Sequence, residues 1–146
     1  IGGAEISLGH LVATADPATQ ITAIGVSAAV LERITTGRPQ TPQIVLPARG
    51  LASILAHCLT WHRLRPDIIH VNLCTPWAAA IGLVTALTLP QTRVVRVDQL
   101  PLRTTAALQL WRTRWLALRV DANVAVGEAS ARRVEDFYAL GRHSVV

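Results

Sequence analysis

Residues 65–98 read RPDIIHVNLCTPWAAAIGLVTALTLPQTRVVRVD, and two runs inside them, residues 68–72 and 93–97, decide the fold. Both runs are rich in Val and Ile and bounded by breakers, Arg65-Pro66-Asp67 before the first and Pro90 before the second, which is how a short strand is written. Between them Pro76 suits the first turn of a helix, where its missing N–H costs nothing, and residues 77–87 continue that helix. Strand, helix and strand with no convincing hairpin turn make a parallel crossover unit.

The alternation extends in both directions. Upstream, residues 4–15 read as a helix with Ile6, Leu8, Leu11, Val12 and Ala15 mostly on one side, stopped at Asp16-Pro17. Residues 21–26 form a strand; Ser27 caps a helix over 28–34 that Gly37 and Pro39 end; residues 43–46 are a strand. A helix over 50–64 carries Leu51, Ile54, Leu55, Cys58 and Leu59 at helical spacing. Downstream come a helix over 103–119, a strand over 122–126, a helix over 128–140 and the opening of a strand at 144–146. The expected fold is α/β, a single Rossmann-like three-layer α/β/α domain with a mostly parallel sheet.

Composition supports a folded chain. Of 146 residues 51% are hydrophobic, and mean hydropathy is +0.37, too apolar for disorder. Only 4% are aromatic, so Ala, Leu, Val and Ile must fill the core. The net charge of +5 comes from arginine alone, there being no lysine. That excess reads either as a sign of anionic partners (nucleotide, nucleic acid or acidic lipid) or as a codon habit. Arg63/Arg65, Arg93/Arg96, Arg112/Arg114 and Arg132/Arg133 are spread over separate elements, and no nucleic-acid module is present. Cys58 and Cys74 lack metal or redox spacing, so no metal site, no disulfide framework and a cytoplasmic setting are expected. The apolar run over 78–89 falls short of the roughly 20 residues that cross a bilayer, and no signal peptide is visible. With no methionine anywhere, the chain is expected to be a piece of a longer protein.

Ligands of open parallel sheets bind beyond the carboxyl ends of the strands. The residues there are Ser27; Asn72, Cys74 and Thr75; Asp98 and Gln99; Gly127 and Glu128. Gly2 and Gly3 precede a helix, where absent Cβ atoms let backbone approach a ligand and the helix start favours an anion. A plain glycine turn is the other reading. His70 sits deeper in its strand than Asn72 and reads as a satisfied core histidine. Leu108, Trp111, Trp115 and Leu118 form one stripe, bordered by Arg112, Arg114 and Arg119. It is either a core-facing stripe or an interfacial helix suited to an anionic membrane.

Three segments in order carry a resemblance: Gly2-Gly3-Ala4-Glu5, Arg65-Pro66-Asp67-Ile68-Ile69-His70-Val71-Asn72, and Asn123-Val124-Ala125-Val126-Gly127-Glu128. Over nearly its whole length the chain resembles the N-terminal, acceptor-side domain of family 4 glycosyltransferases of the GT-B type. Gly141-Arg142-His143-Ser144-Val145-Val146 resembles the approach to that family's donor domain. The resemblance implies that residues 1–146 are one half of a GT-B architecture, with a first strand and a C-terminal donor-binding domain outside them. It implies a retaining hexosyltransferase, moving sugar from a nucleotide-sugar to a hydroxyl of a glycan or lipid-linked acceptor. Cell-envelope polysaccharide biosynthesis, at the inner face of the cell membrane, is the implied setting. No metal or cofactor is implied, and the isolated piece is expected to be inactive.

On that resemblance Gly2 and Gly3 would meet the donor diphosphate, and Asn72, Asp98 and Gln99 would surround the acceptor. Thr75, Gly127 and Glu128 would line the cleft rim. Asp98, in the catalytic position, stands where the family usually has histidine. It reads either as a carboxylate for the acceptor hydroxyl or as a loop residue bonding local backbone. Ile6, Asn72 and Gly127 also depart from the usual Arg, His and Ser; Gly127 is expected to relieve crowding at its turn. Two rival functions remain: a non-catalytic Rossmann-like module binding a nucleotide or protein, and a peripheral membrane domain using the tryptophan helix. A dehydrogenase is disfavoured, since no G-x-G-x-x-G follows a strand.

Overall fold

The computed structural model describes residues 2–146; Ile1, at the head of the glycine stretch, lies outside them. The elements alternate as α1 (Gly3–Thr14), β1 (Ala23–Gly25), α2 (Ala28–Ile34), β2 (Gln43–Val45), α3 (Gly50–Leu64), β3 (Ile68–Leu73), α4 (Ala80–Ala86), β4 (Arg93–Asp98), α5 (Ala107–Arg119), β5 (Ala122–Ala125) and α6 (Glu128–Phe137). The fold is α/β and consistent with a Rossmann-like α/β/α domain. Its strands form two all-parallel sheets, β1-β2 and β3-β4-β5. Two compact units divide the chain, one running to Ala56 and the other His57–Val146.

In the first unit Ala23, Leu31 and Ile34 make a small core against which Leu8 packs. Val12 is buried too, whereas Ile6 and Leu11 face outward. The chain leaves α1 through Asp16-Pro17, and Arg38 ties that bend down. Its guanidinium donates to the carbonyls of Ala15, Asp16, Pro17 and Thr19 at 2.9 to 3.5 Å.

In the second unit β4 is central, with Ile68 opposite Arg93 on one side and Val95 opposite Ala122 on the other. A strand flanked on both sides is buried along most of its length, and Val94, Arg96, Val97 and Asp98 are all buried. Strand order advances one way, so right-handed crossovers put α4 and α5 on one face. The Arg96 guanidinium reaches that face, donating to the carbonyls of Thr113 in α5 and of Pro76 ahead of α4, each at 3.4 Å. Beyond β5, the strand expected at 144–146 is a single parallel bridge between Val145 and Val124.

Three boundaries move by three residues or more from the sequence reading. α4 starts at Ala80 because Thr75–Ala78 form a turn, with the Ala78 N–H on the Thr75 carbonyl at 3.0 Å and Ala79 at φ 49°. α5 starts at Ala107; before it, the Leu102 carbonyl accepts the Tyr138 hydroxyl, and the Thr104 hydroxyl donates to Gln109 Oε1 at 2.7 Å. α6 stops at Phe137, and Leu140 and Gly141, both at positive φ, turn the chain back. Arg142 then donates to the Leu118, Val120 and Asp121 carbonyls at 3.2, 2.6 and 2.6 Å, closing the end of α5.

The core-facing reading of the tryptophan stripe is corrected. Thr113, Leu116 and Ala117 face inward, while Leu108, Trp111, Trp115 and Leu118 face out. Polar side chains of the sheet fix this rotation: Arg96 donates to the Thr113 carbonyl, and Asn123 Nδ2 to the Ala117 carbonyl at 2.9 Å. Small residues at 113 and 117 leave room for those groups; tryptophans would not.

Candidate functional site

The carboxyl ends of β3 and β4 carry an amide pair. Asn72 is next to last in β3, and Gln99 follows β4 directly. The Gln99 backbone N–H bonds to the Leu73 carbonyl at 3.0 Å, which keeps the first loop residue in the register of the sheet. From there Gln99 Nε2 donates to Asn72 Oδ1 at 2.8 Å. Both side chains are half-buried. A primary amide offers two donor hydrogens and an accepting oxygen, a donor–acceptor set that suits hydroxyl groups.

Thr75 lies just past β3, half-buried, and its carbonyl holds the turn into α4. Cys74 beside it is exposed. Gly127 opens α6 at φ 95° and ψ 156°, a region nearly closed to residues with a Cβ. Relief of crowding is not its reason, because a Cβ built there meets nothing within 4 Å. Glu128 is exposed and pairs with Arg132 one helical turn on, at 3.2 Å.

Asp98 departs from both of its expected roles. It is the last residue of β4, not of a loop, and is fully enclosed. Strand side chains two apart share a face, so its carboxylate meets the guanidinium of Arg96 at 2.9 Å, with both side chains at 0% exposure. Among the described residues Asp98 Oδ2 and Arg96 Nε have no hydrogen-bond partner, and the Tyr138 ring lies 6.0 Å from the guanidinium carbon. Burial pushes the Asp98 carboxyl above its ordinary range; the Arg96 charge and hydrogen bond pull it back only in part. An acceptor hydroxyl therefore has no route to this carboxylate in the folded chain. His70 lies on β3, an outer strand of its sheet, where much of its surface is exposed, although burial of its ring still holds the imidazole below its ordinary 6.5.

Gly2 and Gly3 belong to the first unit. Gly2 is the residue ahead of α1, with extended backbone, and its N–H donates to Glu5 Oε2 at 2.6 Å. The glutamate of the Gly-Gly-Ala-Glu motif thus holds one of the N–H groups that had been assigned to an anion. Gly3 keeps an open approach, since a Cβ there meets nothing within 4 Å. Ser27 precedes α2 without a side-chain capping bond.

Sequence reasoning missed Arg96, Tyr138 and Arg142 as organising groups. For Arg96 a signal existed, opposite charges two residues apart inside an apolar strand. Two concavities lie elsewhere. One is lined by Pro90, Thr92, Arg93 and Asp121 at the amino end of β4; another lies between α1 and α2, lined by Glu5, Gly9, Arg33 and Gly37. Among the described residues no three His, Cys, Asp or Glu side chains gather, and no helix is long and apolar enough to cross a membrane. Comparison with family models, curated proteins and solved structures returns no match.

Proposed function

We propose that this chain is the acceptor-side domain of a retaining glycosyltransferase that moves a sugar from a nucleotide-sugar to a hydroxyl on a glycan or lipid-linked acceptor. The observation that carries the reading is the Asn72–Gln99 amide pair at the carboxyl ends of two parallel strands. These amides would orient the acceptor hydroxyl by exchanging their mutual hydrogen bond for bonds to sugar. Gly3 would bring backbone close to the donor diphosphate, with no side chain between. Rate would come from holding the two substrates in line and from charge stabilisation of the departing diphosphate. The latter is assigned to a donor-binding domain on the same protein. Asp98 enters as the buried partner of Arg96 beneath Gln99, setting the end of β4 rather than touching substrate. Such an enzyme would work in the cytoplasm, at the inner face of the cell membrane.

The test is turnover by the full-length protein across a panel of nucleotide-sugars, with Asn72→Ala and Gly3→Val alongside. Loss of one hydrogen bond to the acceptor should lower kcat/KM about tenfold in Asn72→Ala. Gly3→Val should raise KM for the donor with thermal stability unchanged, because the site has room. Wild-type turnover in both variants would reject these roles.

The burial of Asp98 favours a second reading, a non-catalytic Rossmann-like module that binds nucleotide or a protein. Nucleotide binding by calorimetry with no turnover of any donor would select it.

A further inference from the structure

We infer that the outer face of α5 is a docking surface for an anionic lipid bilayer, a property separate from sugar transfer. At about 100° per residue, Leu118, Trp111, Trp115, Leu108, Arg119 and Arg112 fall in that order within one arc of roughly 120°. Every one of them is exposed. Leu108 is 79% exposed, Trp111 66% and Leu118 42%, although burying large apolar side chains away from water is favourable. A row of large apolar side chains on a helix whose other face is already packed marks an interaction site.

Charge and chemistry name the occupant. No Asp or Glu occurs anywhere in α5, while Arg112, Arg114 and Arg119 do. Arg114 is committed inward, donating to the Phe137 carbonyl at 2.9 Å. Arg112 and Arg119 instead edge the apolar row. The Arg119 guanidinium carbon stands 5.3 Å from the Trp115 ring centre, so that cation and indole reach the same depth. Indole settles at the headgroup level of a bilayer and guanidinium pairs with phosphate there. A helix lying flat, with apolar residues down and arginines at the waterline, is the arrangement that binds in proportion to buried apolar area and anionic lipid content.

The experiment is co-sedimentation of the full chain with vesicles of phosphatidylcholine alone and of phosphatidylcholine mixed with phosphatidylglycerol, at low and raised salt. Binding is expected on the mixed vesicles only, weakening with salt. Replacing Arg112 and Arg119 by Gln should weaken partitioning roughly fivefold per residue. Leu108→Ser with Trp111→Ser, both highly exposed and checked for unchanged circular dichroism, should reduce it about tenfold or more. No binding at low salt, equal binding to neutral vesicles, or binding untouched by both pairs of substitutions overturns the proposal. So does sedimentation equilibrium showing a dimer that the Leu108/Trp111 pair dissociates, since the occupant would then be a second copy of the chain.

Discussion

Arg96 and Asp98 leave β4 on the same face, and the helices above seal both from water. Neither charge is solvated, so each depends on the other: truncating one leaves the other buried alone, which typically costs about 3–5 kcal/mol. Asp98→Ala should therefore lower stability by that amount in urea unfolding. The double replacement Arg96→Met with Asp98→Leu should cost much less than the two single losses added together, and simple additivity would show that the pair is not coupled. Gly127 makes a different demand. Space around it is open, yet its φ of 95° with extended ψ is a conformation that costs other residues about 1–3 kcal/mol. Gly127→Ser should lose that much in the same measurement, whereas Gly3→Ala, at ordinary φ, should lose none. At this scale the sequence was only partly readable. Residue type and position along a strand predicted that 72, 98, 99 and 127 cluster at strand ends. Whether Asp98 points into solvent or into protein depends on what covers the strand, and the one local signal is the opposite charge of Arg96 two residues before it on the same face.

Helix α5 shows where element-level reading stops. Its apolar period was plain in the sequence, and its C-terminal end matches the expected one. Periodicity reports two unlike faces without saying which one is inside; of the two readings of the larger apolar residues, core-facing or interfacial, the core-facing one fails, because they are exposed. The inner face instead uses Thr113, Leu116, Ala117 and Val120, with the Thr113 hydroxyl satisfied by the Gln109 carbonyl at 2.8 Å. Ala117→Leu should then overpack this contact and cost about 1–3 kcal/mol. Trp111→Ala, on the outer face, should change stability by no more than about 0.5 kcal/mol. Thermal unfolding of the two variants distinguishes the faces, and a reversed order would invert the helix. Part of the arginine excess also finds its explanation here, because Arg38, Arg114 and Arg142 spend their donors on backbone carbonyls at the ends of elements.

Across the whole chain, alternation of strand and helix was enough to expect parallel strands, since each crossover returns a strand in the same direction. It could not say which strands bond to which. Pairing is set by contacts distant in sequence, and the five strands fall into two sheets in two units. The two perturbed carboxyls described by their surroundings make stability depend on pH in opposite ways. Asp121 is held below its ordinary 3.8 chiefly by the Val94 N–H and then by Arg93, so its contribution is present above 3.8 and lost as pH falls through its folded value. Asp98 is held above 3.8. Its contribution is full below 3.8 and lost as pH rises through the raised value, because the folded chain keeps a proton that the unfolded chain has released. The urea midpoint of wild type minus that of Asp98→Asn should therefore decline as pH rises from about 4 toward 7; a flat difference would deny the burial effect. Cys74, finally, is exposed two residues beyond Asn72. In a Cys58→Ala background it is the single thiol, and its rate of reaction with a maleimide becomes a clock for occupancy of the rim. Any ligand seated against Asn72 and Gln99 should slow that labelling, whether or not chemistry follows.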